Sequence, residues 1–130
     1  MINHIFKGLG VALITPFNED DSIDYTALGN IIDYQVNNGI DYMVVLGTTG
    51  ETPTLSEEEK KEVVRFTVER IAGRVPVVLG VGGNNTSAIV KKLKTHRLWQ
   101  EKELKRGTRF ISSTQVDSVT EVLEIALIQR

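Results

Sequence analysis

Three short runs of uninterrupted apolar residues recur along the chain at nearly even spacing. Val11-Ala12-Leu13-Ile14 lies between Gly10 and Pro16, Tyr42-Met43-Val44-Val45-Leu46 is stopped by Gly47, and Val75-Pro76-Val77-Val78-Leu79 is stopped by Gly80. Runs of this length, rich in valine, suit strands buried on both faces of a parallel sheet. Between them the pattern changes to helical spacing. Leu28, Ile31, Ile32 and Val36 fall on one face of a first helix closed by Gly39. Val63, Val64, Thr67, Val68 and Ile71 share a face of a second, followed by Gly73. Ser56 and Glu59 form a capping box at its start, and Glu57, Glu58 and Glu59 suit the positive end of its dipole. A solvated first turn explains this acidic run better than a metal site does. A third helix is predicted to start near Thr86 and to run through Ile89 and Leu93.

Val11 and Met43 are 32 residues apart, and Met43 and Val77 are 34 apart, the period of a βα unit. The same period places a fourth strand at Arg109-Phe110-Ile111-Ser112-Ser113. A last helix follows, opened by Ser118 and Glu121, with Val119, Val122, Leu123, Ala126 and Leu127 on its apolar face. Successive βα units imply parallel strands with right-handed crossovers. Four such units are half of an eight-unit barrel or a small open α/β sheet. A closed (β/α)8 barrel takes about 250 residues, more than this chain has. The predicted fold class is therefore α/β, and the spacing leaves both half a barrel and a small open sheet standing.

Composition narrows the function classes. The chain has 130 residues, with 15 Lys and Arg against 17 Asp and Glu, for a formal net charge of -2. This length predicts one domain. Without a basic excess, nucleic-acid binding by bulk charge is not expected. An apolar content of 41% supports a core and argues against disorder. The absence of cysteine excludes a disulfide framework, thiolate catalysis and zinc–sulfur sites. No signal peptide and no apolar run of membrane length is recognisable, so a cytoplasmic protein without a membrane partner is expected. Residues 97–109 stand apart, with Arg97, Lys102, Lys105, Arg106 and Arg109 against Glu101 and Glu103 around Trp99. A surface linker accounts for this stretch better than a phosphate-binding patch.

In parallel α/β folds, ligands gather where the βα loops converge at the carboxyl ends of the strands. Three loops qualify: 15–20, 47–55 and 80–86. In Gly47-Thr48-Thr49-Gly50-Glu51, two glycines let the backbone approach a ligand. Two adjacent hydroxyls there can hold a carboxylate or relay a proton, or can bond to their own turn. Gly80-Val81-Gly82-Gly83-Asn84-Asn85-Thr86 is glycine-rich and opens a helix. However, Asn85 stands where a dinucleotide fingerprint needs its last glycine, so a tight βα turn is the simpler reading. His4 and His96 have no acidic partner at metal-ligand spacing, and no metal set is predicted.

These loops carry a family resemblance. Gly8 with Val11-Ala12-Leu13-Ile14-Thr15-Pro16-Phe17, then Gly47-Thr48-Thr49-Gly50-Glu51 with Thr54-Leu55-Ser56, then Pro76-Val77-Val78 with the 80–86 loop, resemble the N-terminal part of the dihydrodipicolinate synthase and N-acetylneuraminate lyase family of pyruvate-dependent aldolases. The likeness runs from about Ile5 to His96 and implies a partial (β/α)8 TIM barrel of the first three βα units plus a divergent fourth segment, with 1–96 as the barrel part and 97–130 as a divergent tail. It implies a (β/α)8 lyase that condenses pyruvate with aspartate semialdehyde through a Schiff base in lysine biosynthesis, without a cofactor. It further implies that Thr49 binds the pyruvate carboxylate through its hydroxyl and amide, and that Thr48 binds substrate and belongs to a proton relay. The family's Pro-Tyr-Tyr segment, its later tyrosine and arginine, and its Schiff-base lysine have no counterpart here. Ala88 stands where some members carry an acid beside an asparagine, here Asn84, which argues against feedback control by lysine. From about Lys105 to Ile128 the tail looks like the last strand and helix of a Lon-type protease domain, without a nucleophile. The expected product is thus a truncated, inactive form of the synthase. Homo-oligomerisation or association through exposed barrel edges is expected of it. Two other readings are a non-catalytic half-barrel interaction protein and a small flavodoxin-like phosphate binder using Gly80 to Thr86.

Overall fold

The computed structural model describes residues 7–82 together with 85, 87–89 and 91. Its elements alternate in order: β1 (Gly10–Ala12), α1 (Tyr25–Asn37), β2 (Tyr42–Val45), α2 (Glu57–Ile71) and β3 (Val77–Leu79). The strands form one parallel sheet in the order β1-β2-β3. Val11 faces Met43, which in turn faces Val77, and Ala12, Val44 and Val78 form the next row. Each strand is shorter than its apolar run. Pro76 lies outside β3, consistent with its missing N–H, although its carbonyl still accepts from the Met43 N–H at 3.1 Å. The ladder continues one residue past β1, where Leu13 N–H donates to Val44 O at 2.8 Å.

Helix α1 starts at an N-cap absent from the sequence reading: the Asp24 carboxylate accepts from Ala27 N–H at 2.8 Å. It ends at Asn37, and Gly39 turns the chain back at φ 84°, a conformation suited to glycine. Of its predicted face, Leu28 and Ile32 are buried, while Ile31 and Val36 pack at the margin of the core. Helix α2 begins with the predicted capping box. Ser56 Oγ accepts from Glu59 N–H at 3.2 Å, and the Glu59 carboxylate accepts from Ser56 N–H at 2.8 Å. All five residues of its predicted face are buried. Val63, Val64, Val68 and Ile71 each contribute roughly 1.5–3 kcal/mol by leaving water. The two helices meet through Tyr25 and Phe66, whose ring centroids are 5.1 Å apart. Asp33 on α1 also accepts from Arg70 in the last turn of α2 and from Arg74 just beyond it.

The core lies between the helices and one face of the sheet. Leu13, Met43, Val45, Val77 and Leu79 join Leu28, Ile32, Val63, Val64 and Ile71 in a single apolar cluster. Among the described residues, no helix is long and apolar enough to cross a membrane. The fourth strand expected at 109–113, the last helix, His4, His96, Trp99 and the Lon-like tail lie outside the described residues.

Two expected outcomes follow from α2. Thr67 is fully buried and, among the described residues, its hydroxyl finds no partner. Thr67→Val should therefore raise stability by about 1 kcal/mol in urea titration, because it removes an unsatisfied donor. The second concerns acid. Hydrogen bonding from Ser56 holds the Glu59 carboxyl below its ordinary value of 4.5, and hydrogen bonding from Arg70 holds Asp33 below 3.8. A carboxyl depressed in the folded state adds stability above its unfolded value and loses it as pH falls through the folded value. The thermal midpoint should therefore hold steady until pH drops below 4.5 and then fall, and Glu59→Gln with Asp33→Asn should flatten that fall.

Candidate active site

The segment leaving β2 is built from two successive 3-10 turns, Thr48–Gly50 and Thr52–Thr54. Leu46 departs from the strand at φ 55°, an unusual conformation for a branched side chain, which anchors itself by burial. Gly47 is then extended, and Gly50 N–H closes the first turn on Gly47 O at 2.9 Å. Glu51, at φ 53°, links the two turns. Neither turn is long enough to hold itself, and three contacts with the sheet hold them. Thr52 Oγ1 lies 3.0 Å from both Leu46 O and Gly47 O and shares its proton between them. Thr15, at the end of the β1 segment, donates its buried hydroxyl to Gly50 O at 2.8 Å. Gly80, just past β3, donates its N–H to Val45 O at 2.8 Å and lies directly against Gly47.

Thr48 and Thr49 thus sit on a short turn fastened to the carboxyl ends of all three strands, and both are exposed. Among the described residues, neither hydroxyl is bonded to the turn. The self-bonding reading belongs instead to their neighbours: Thr52 bonds as above, and Thr54 Oγ1 donates to Glu51 O at 2.8 Å. The adjacent hydroxyls leave two donors and two acceptors facing outward, with backbone N–H groups beside them, a set suited to a small carboxylate. Thr52 was not singled out by the sequence reading, and Thr15 and Gly80 entered it only as parts of their loops. Burial alternates through Leu13, Ile14 and Thr15, which sends Thr15 to the buried side, where a hydroxyl needs a partner.

In the third loop, Asn85 Oδ1 accepts from Ala88 N–H at 3.1 Å, and Asn85 O accepts from Ile89 N–H at 3.0 Å. Asn85 is thereby the cap of a helix whose described residues begin at 87, close to the predicted start. Gly83, Asn84 and Thr86 lie outside the described residues. Of the described lysines, Lys60 pairs with Glu57 at 3.0 Å on α2, Lys61 is exposed on the same helix, Lys91 is exposed on the third, and Lys7 lies exposed before β1. None stands on a strand.

The sequence pattern of the Dihydrodipicolinate synthetase family matches residues 5–97. The 4-hydroxy-tetrahydrodipicolinate synthase of Parabacteroides distasonis is 67% identical over 89 residues, covering 68% of this chain and 30% of that protein. The enzyme of the same name from Azobacteroides pseudotrichonymphae is 59% identical over 91 residues, covering 70% of this chain and 31% of that protein. Among solved structures, dihydrodipicolinate synthase from Aquifex aeolicus superposes with a TM-score of 0.67 at 45% identity, over 84% of this chain and 34% of its own. The Thermotoga maritima enzyme gives 0.70 at 32% identity, over 90% and 38%. The fold is that of the N-terminal part of an α/β barrel, and the chain spans about a third of the length of the relatives it matches. The family match stops at residue 97, so it lends no support to the Lon-like reading of the tail.

A Cβ on Gly80 would stand 2.5 Å from Leu46 O and 2.8 Å from Gly47 Cα, both backbone atoms that cannot step aside cheaply. Gly80→Ala should cost about 1–3 kcal/mol in urea unfolding by overpacking. The amide resonances of Thr48 and Thr49 should shift more than those of α1.

Proposed function

The chain belongs to the dihydrodipicolinate synthetase family, and from that premise we propose that it carries the carboxylate-binding part of a pyruvate-dependent aldolase site. In this reading Thr49 holds the pyruvate carboxylate through its hydroxyl and amide, and Thr48 contacts the substrate and passes a proton. The complete activity is the condensation of pyruvate with aspartate semialdehyde, in the cytoplasm, on the route to lysine. The observation that carries the reading is the pair of outward-facing hydroxyls, unbonded among the described residues, on a turn tied to three strand ends. A carboxylate binds best to donors already aimed and not spent on neighbouring groups.

The covalent step needs an amine. Attack of a neutral lysine on the pyruvate carbonyl, with uptake of one proton, expels water and leaves an iminium, and burial is what brings such an amine to its neutral form near pH 7. The described lysines are exposed or ion-paired on helices and the N-terminal arm, so the 130 residues alone are proposed to bind without turning over. A division near residues 96 and 97 is supported by the end of the family match. In the described sheet β1 and β3 each have one neighbour, so their outer edges are the proposed routes of self-association.

Incubation with pyruvate and borohydride should leave the mass of the 130-residue chain unchanged; a stable pyruvyl adduct would overturn the proposed lack of a resident nucleophile. Titration with pyruvate should move the Thr48 and Thr49 amide resonances. Thr49→Val should weaken that response about tenfold, the loss expected for a hydrogen bond to a charged group. An unaltered response in Thr49→Val would remove Thr49 from the role.

A further inference from the structure

We propose that Thr15 is a positioning residue for this site, its hydroxyl bond to Gly50 O holding the turn that carries Thr48 and Thr49 against the end of β1. The inference rests on the proposed role of those two threonines. Thr15 is only 4% exposed and donates to Gly50 O at 2.8 Å across 35 residues of sequence. A valine would fill nearly the same volume at this apolar strand end. A buried hydroxyl is costly unless bonded, so what threonine adds over valine is one directed bond.

Local chemistry aims that bond. Pro16 confines the preceding residue to extended backbone, and the β-branch of Thr15 limits its χ1 choices, so little freedom is lost in making the contact. On the other side, a Cβ at Gly50 would stand 3.4 Å from both Thr15 Oγ1 and Leu13 O, an ordinary contact distance that places the turn against β1. Gly50 also closes the turn through its N–H to Gly47 O. Its peptide is therefore held at the nitrogen by the turn and at the oxygen by β1. Thr52 anchors the β2 end of the same loop through Leu46 O and Gly47 O. With Thr52 alone, the segment bearing Thr48 and Thr49 is tied to β2 and can tilt away from β1.

The test compares the full 130-residue chain with Thr15→Val and Thr15→Ser, by amide exchange and by pyruvate titration followed at Thr48 and Thr49. In Thr15→Val, exchange at Gly50 and Glu51 should quicken at least about fivefold relative to Met43, whose amide lies in the sheet, as expected for loss of one hydrogen bond. Pyruvate affinity should fall by about the same factor, and Thr15→Ser should restore both. If Gly50, Glu51 and Met43 all quicken equally, Thr15 is a scaffold residue and the proposal is overturned. Unchanged pyruvate affinity in Thr15→Val also overturns it. A wild-type chain that gives no pyruvate response sinks the functional reading, while the exchange comparison still decides whether Thr15 holds the turn. Should Thr15→Val fail to fold, Thr15→Ala, which removes the same hydroxyl without added bulk, is expected to give the same selective pattern.

Discussion

The parallel ladder that β2 shares with both neighbours is the constraint from which the rest of the molecule follows. Side chains alternate along a strand, so one register decides both faces at once. With Val11, Met43 and Val77 in one row, the row above belongs to Ala12, Val44 and Val78. The first row, with Leu13, Val45 and Leu79, joins the cluster under α1 and α2. Val78 is buried yet stands outside that cluster, on the opposite face. A slip of one residue would turn Met43 and Val45 away from the helices and expose the apolar stripe of α2. The same register brings the strand ends level, so that Thr15, Gly47 and Gly80 meet at one edge.

The sequence was most legible where burial is dense. Each of the five residues assigned to the α2 face is buried, and the Ser56–Glu59 box is present, because helical period and capping chemistry are local signals. Strand lengths were less legible: Val75 and Pro76 extend the apolar run beyond the residues that pair, since apolarity reports burial and not hydrogen bonding. The cap at Asp24 escaped because Asp20 and Asp21 also precede α1, and acidity alone does not choose among them. In the site, the Gly-Thr-Thr-Gly pattern drew attention to Thr48 and Thr49, but nothing local tells that Thr52 and Thr15 fasten their turn. Those bonds link residues five, six and 35 apart, and only the packed sheet sets their geometry.

In the proposed reading, the arrangement separates two tasks that a Schiff-base aldolase must combine. Holding a carboxylate asks for rigid, water-accessible donors, and a turn at the strand ends supplies them without burying a charge. A nucleophilic amine asks for the reverse: a lysine withdrawn from water, where desolvation disfavours its protonated form. The described surface cannot serve that second need. Its lysines stand on helix faces or before β1, and Lys60 pairs with the Glu57 carboxylate. Shifting such a residue's chemistry would require an apolar enclosure around it, which a three-stranded sheet covered by helices on one face does not provide. In the proposed reading the two requirements therefore belong to different walls of a barrel, and the described wall carries the one for the carboxylate.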